Sequence, residues 1–241
     1  MTTKGIGERA PLKLAGALLF TAGAAIFMGI ITAEALYPAA YSTSANTISD
    51  LGGTRPPDSV VLQPSAAIFD ITMLVTGAMI IAAAWLIHRA FRRRAVAISL
   101  AAYGLGVLGI GIFPGDTTPH PLIAMFVFIA AGVAAILAYQ VEPAPLRQIS
   151  VALGTITLAS LVLGNYFLEW GPVAELGEGG IERWIAYPAV LWLTVLGGYL
   201  MSSPAKAPTA SPPASQPGSQ PGSSAAPSDN GKAPVGTGRR R

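Results

Sequence analysis

The run SAAIFDITMLVTGAMIIAAAWLI, residues 65–87, holds a single ionisable side chain, Asp70, in 23 residues. A bilayer core about 30 Å thick needs roughly 20 apolar residues of helix, because each residue rises about 1.5 Å and every backbone polar group must be satisfied within the segment. This run meets that requirement and reads as a membrane span. Five others do the same, over 14–33, 95–113, 121–141, 148–168 and 184–203. Composition agrees: the 241 residues are 52% hydrophobic and 11% charged, where ordinary soluble domains carry about a quarter charged residues. So little charge would leave a soluble domain with far too much apolar surface. The fold class expected is all-α, a polytopic membrane protein of six helices in an up-and-down bundle, with short loops except the first, 34–64.

Lys and Arg set the orientation expected, since cytoplasmic loops retain them. Lys4, Arg9 and Lys13 precede the first span, Arg89, Arg92, Arg93 and Arg94 follow the second, and Arg147 follows the fourth. Lys206, Lys232, Arg239, Arg240 and Arg241 follow the sixth, so 13 of 15 basic residues fall on one side. Only Arg55 and Arg183 fall on the other. Both termini are therefore expected in the cytoplasm, with the chain integral to the plasma membrane. The first apolar run exceeds the 7–15 residues of a signal-peptide core, so it is read as a retained helix despite the small-residue sequence Ala33-Glu34-Ala35. Residues 1–13 form a cytoplasmic N-terminus and 14–203 the membrane domain. From 204 to 241 the chain turns to Pro, Ala, Ser, Gly and Gln, a composition expected to give a disordered cytoplasmic tail.

Several chemistries are set aside by the residues present. The chain has no Cys, which removes disulfides, thiolate metal sites and a Cys nucleophile. Gly104, Gly106 and Gly109 satisfy the GxGxxG pattern, but inside a span, where they suit close helix contact rather than a dinucleotide. No nucleotide cofactor is expected. His88 and His120 stand at opposite ends of the bundle, which removes a bis-His haem. The Arg92 to Arg94 run has a topological explanation, so no nucleic-acid partner is expected.

The acids are more informative. Glu34, Asp50, Asp58, Asp70, Asp116, Glu169, Glu175, Glu178 and Glu182 all fall at the outer side, against three elsewhere. Three segments build this polar layer: YSTSANTISDLGGTRPPD (41–58), FPGDTTPHP (113–121) and EGGIERW (178–184). In the first, Ile48 and Leu51 flank Ser49-Asp50, a spacing that suits a short element pressed on the membrane surface, and Gly52, Gly53, Pro56 and Pro57 force a turn. In the second, Pro121 suits the first helical position, which would place His120 or Thr118 at the cap. The candidate binding residues are Asp50, Asp70, Asp116, His120, Glu182 and Arg183. Catalysis would draw on Asp116, His120 and Ser49, and a divalent metal on Asp50, Asp116 and His120, whose oxygen and imidazole donors suit zinc or manganese.

Taken together, Ile48-Ser-Asp-Leu-Gly52 after a first span, Phe113-Pro-x-Asp116 with His120 opening the fourth, and Glu182-Arg183 with Trp192 in the sixth resemble the prokaryotic membrane family catalogued as domain of unknown function 998. The resemblance covers roughly residues 15 to 200. Residues 48–50 with Thr54, Pro56, Pro57 and Asp58 are also similar to the damage-regulated autophagy modulator family of six-span proteins, with Asp58 where Glu is expected. Neither resemblance implies an established reaction.

Three functions fit an outward polar layer. Binding of lipid head groups or a protein partner demands the fewest assumptions. A metal-dependent hydrolase or transferase acting on lipid head groups is the alternative. The third is a small transporter, using Asp70 with Asn165 and Glu169, which are expected to share a helix face at four-residue spacing. A purely structural assignment has Asp50 bonding its own loop, Asp116 and His120 pinning their turn, and Glu182 pairing with Arg183 or Arg55. Oligomeric state is not legible in the sequence.

Overall fold

The computed structural model describes residues 9–91 and 93–202. The tail over 204–241 and residues 1–8 lie outside the described residues. Six helices are long and apolar enough to cross a membrane. They are α1 (Arg9–Ala35), α2 (Ser65–Phe91), α3 (Arg94–Ile112), α4 (His120–Leu137), α5 (Leu146–Tyr166) and α6 (Gly171–Ser202), with 3-10 turns at Ser49–Leu51 and Ala138–Gln140. Prolines punctuate them: Pro64 precedes α2, Pro114 follows α3, Pro119 and Pro121 open α4, and Pro145 precedes α5. At such places a missing N–H or a fixed φ stops one helix or starts the next.

Each helix packs on its neighbours in sequence, and α6 returns to α1, so the six close a ring. Large apolar side chains such as Ile98, Leu122, Trp85 and Met28 are exposed around it. Outside a membrane this surface would aggregate; in a bilayer it is the solvated face. Inside, the core runs from Leu19, Ile26 and Ile30 of α1 through Phe69, Ile80 and Leu100 to Trp192, Leu193 and Leu196 of α6.

Small residues let the helices approach. Gly77 faces the Leu108 backbone, and Gly104 faces Gly77 and Ile81, which joins α2 to α3. Gly106 and Gly109 face Val127 and Ile123 of α4. The GxGxxG glycines thus serve two helix contacts, α3 with α2 and α3 with α4. Gly16 meets Gly197 and Met201, while Gly23 meets Thr194 and Val190, so α6 lies antiparallel to α1. Lipid offers no hydrophobic drive between helices, and close packing of this kind supplies the attraction instead.

Two expectations change here. The sixth helix begins at Gly171, well before 184, and its course is broken at Gly177, whose φ of 72° and ψ of 173° only glycine adopts readily. A Cβ there would also strike the Ser44 carbonyl. The Ser49–Leu51 turn, moreover, is no surface element: Leu51 is fully buried and Ile48 nearly so. Residues 47–53, the middle of loop 36–64, therefore fold into one end of the ring and stop it.

At the other end Glu142, after the Ala138–Gln140 turn, is 5% exposed. Neither of its carboxylate oxygens has a hydrogen-bond partner, and neither Ser150 Oγ nor the Trp192 indole N–H closes to bonding distance on any acceptor. Burial pushes the Glu142 carboxyl above its ordinary value, with the facing Ser150 and Trp192 donors opposing.

Candidate functional site

The stopper is held by a dense local network. Asp50 accepts from Thr47 N at 2.9 Å and from Asn46 Nδ2 at 3.4 Å, closing its own turn. Thr47 Oγ1 and Ser49 Oγ lie 3.0 Å apart. Tyr41 OH donates to Thr47 O at 2.8 Å, and Ser65 Oγ donates to Leu51 O at 3.3 Å. Burial raises the Tyr41 phenol above its ordinary range against the opposing hydrogen bond from Arg183, and it raises Tyr37 as well, aided by the nearby Asp50.

Helix α6 grips this loop through two adjacent, opposite charges. Glu182 accepts the Ile48 N–H. Arg183 Nη1 donates to the carbonyls of Thr43, Asn46 and Gly179 at 2.9, 3.1 and 2.8 Å, while Nη2 donates to Tyr41 OH at 2.9 Å and pairs with Glu34. A planar guanidinium with several fixed donors suits such a junction. The expected pairing of Glu182 with Arg183 or Arg55 is thus corrected: Arg183 takes Glu34, and Arg55 lies 3.8 Å from Glu178. A backbone amide is what Glu182 binds.

The other candidates line the same end. A Cβ on Gly52 would meet Asp70 Oδ1 at 2.7 Å, and one on Gly53 would meet Asp116 at 3.1 Å, so both carboxylates lie directly beneath the stopper. Asp70 Oδ1 is buried without a partner. His120 is the first residue of α4, not its cap, and its Nδ1 lies 2.8 Å from Phe113 O. A carbonyl only accepts, so Nδ1 carries the proton and Nε2 keeps a lone pair. Helix α5 ends at Tyr166, which removes the shared face of Asn165 and Glu169; Asn165 Nδ2 instead donates to Leu161 O at 2.8 Å.

Among the described residues no three His, Cys, Asp or Glu side chains gather closely enough to hold a metal ion. Asp50 and His120 are bonded to their own loops, and Ser49 shares no hydrogen bond with His120.

What the end-cap does form is a groove of about 400 Å³ between α4, α5 and α6, roofed by the stopper. Thr47, Ser49, His120, Asn165 and Glu182 supply its polar lining, with Arg55 and Glu178 at the mouth; Met125, Phe128, Leu161, Leu168 and Ile185 supply apolar walls. The groove shares Ser49, His120, Ala124, Phe128 and Glu182 with a smaller cavity of about 70 Å³ inside the ring, where Met73, Tyr103 and Val107 continue the lining. Sequence reading placed Ser49, His120 and Glu182 in one layer. It also put Arg55 and Glu178 on that side without making them binding candidates, and it did not single out Thr47, whose only signal was its place in the 41–58 segment.

A family model described as protein of unknown function, DUF998, matches residues 21–199. No curated protein and no solved structure matches the chain.

Proposed function

The chain belongs to the family of proteins of unknown function DUF998, and from that footing we propose that it binds the head group of a membrane lipid in the groove between α4, α5 and α6. One observation carries the reading: hydroxyl, imidazole and carboxylate groups at the stopper share a single groove with apolar helix walls. Its volume falls within the usual range of roughly 300–1,000 Å³ for ligand sites. A head group would meet Thr47, Ser49, His120 and Glu182, and its chains would follow Met125, Phe128 and Ile185. The 13-to-2 division of basic residues supports an orientation with both termini in the cytoplasm, which puts the groove at the outer leaflet of the plasma membrane.

Ala124 lines both groove and cavity, so Ala124→Trp should fill the passage. The test is mass-spectrometric quantification of lipid retained by purified protein. Lipid should fall severalfold in the variant while its thermal unfolding stays cooperative; undiminished lipid would refute the reading. Reporters after residue 204 and within 171–180 should read cytoplasmic and external respectively.

Catalysis on the bound lipid is the second reading, favoured by the Nδ1–H···O=C bond that leaves His120 Nε2 basic inside the groove. It expects head-group or acyl release in mixed micelles that is lost in His120→Gln.

A further inference from the structure

Resting on the lipid-binding reading, we infer that the groove selects zwitterionic head groups carrying a phosphate and an ammonium over purely anionic ones. The observation is the pair at its mouth. Arg55 Nη1 and Glu178 Oε2 stand 3.8 Å apart, with side chains 62% and 53% exposed. The described residues hold one other ion pair, Arg183 with Glu34, which is part-buried and ties loop to helix. An exposed pair contributes about 0–1 kcal/mol to a fold, so Arg55 and Glu178 are free to exchange partners without loosening the bundle. Each also lines the groove.

A head group with both charges can replace the pair by two new ones. Its phosphate takes the guanidinium, which binds oxyanions through two parallel N–H donors, and its ammonium takes Glu178. A phosphate without an ammonium satisfies Arg55 but strands Glu178 beside an added negative charge, with Glu182 further in. A lone cation meets the reverse problem at Arg55. Discrimination of this kind rests as much on the unmatched charge as on the matched one. The paired Thr47 and Ser49 hydroxyls keep one O–H for a phosphate or ester oxygen, which every phospholipid offers, while His120 Nε2 can only accept, from a head-group N–H or O–H.

The test equilibrates the full-length protein with nanodiscs containing equal phosphatidylethanolamine and phosphatidylglycerol of identical chains, then quantifies retained lipid. Wild type should enrich phosphatidylethanolamine by about fivefold, the scale of one such pair. Glu178→Gln should abolish the preference while keeping total lipid, and the double exchange Arg55→Glu with Glu178→Arg should restore it. Equal retention of both lipids by wild type, or an unaltered preference in Glu178→Gln, overturns the inference and leaves lipid binding standing. Unchanged lipid in Ala124→Trp overturns lipid binding itself.

Discussion

Removing the Arg183 guanidinium is the most demanding test of how the stopper is held. Arg183→Met keeps an unbranched chain of similar reach but deletes donors to three carbonyls, to Tyr41 OH and to Glu34. The Arg183 and Glu34 side chains are 11% and 20% exposed, so the loss falls on groups largely out of water. Removing one partner of a buried pair costs about 3–5 kcal/mol, and single hydrogen bonds about 1 kcal/mol each. These terms overlap because one guanidinium makes them all, and Glu34 retains some access to solvent. The expected net loss is about 3 kcal/mol, or a midpoint lowered by roughly 6–12 °C on the scale of domains this size. Arg183→Lys should lie between, because an ammonium can reach Glu34 or the carbonyls but not both sets. Thermal unfolding of purified protein in detergent reads the midpoint, and hydrogen exchange at Ile48 and Gly179 reads the loop. If Arg183→Met melts within about 2 °C of wild type with those amides still protected, the clamp does not hold the stopper.

Two further expectations concern the ring. Gly77→Ala should destabilise by about 1–3 kcal/mol, since its Cβ would lie 2.5–2.7 Å from the Leu108 backbone; Gly198→Ala, with nothing within 4 Å, should gain about 0.5–1 kcal/mol by the same melting assay. Glu142, a carboxyl pushed up by burial, contributes stability that is complete below its unfolded value near 4.5 and fades as pH rises through the folded one. Melting midpoints should therefore fall from acid toward neutral pH, and Glu142→Gln should flatten that dependence; an identical slope in both proteins excludes Glu142 as its source.

Lipid immersion is why the spans were legible. A run such as 65–87 has no other way to satisfy its backbone, so its helix follows from composition alone. The small-residue faces at Gly104, Gly106 and Gly109 were legible for the same reason. Asp50 bonding its own turn and His120 pinning the Phe113 turn also followed, because both contacts are local. The long-range partners did not follow. Nothing near Arg183 announces Glu34, 149 residues away, and nothing near Glu182 announces the Ile48 amide, 134 residues away. The early start of α6 was hidden by Gly177, Gly179 and Gly180, which read as loop; two of these glycines lie against the Ser44 and Asn46 carbonyls of the stopper. The groove was invisible because it exists only where three helices and a folded-in loop meet.

The stopper also imposes an order of events on synthesis. Its residues emerge after the first helix, yet the groups that receive it, Asp116, Glu182 and Arg183, are made one and two helix hairpins or more later. Until α6 arrives, Glu34 has no cation and the Ile48 amide no acceptor, so a nascent chain carries an unfilled socket across most of its length. Docking of the stopper is therefore expected to follow insertion of the last helix, which supplies the cation for Glu34 and the acceptor for the Ile48 amide.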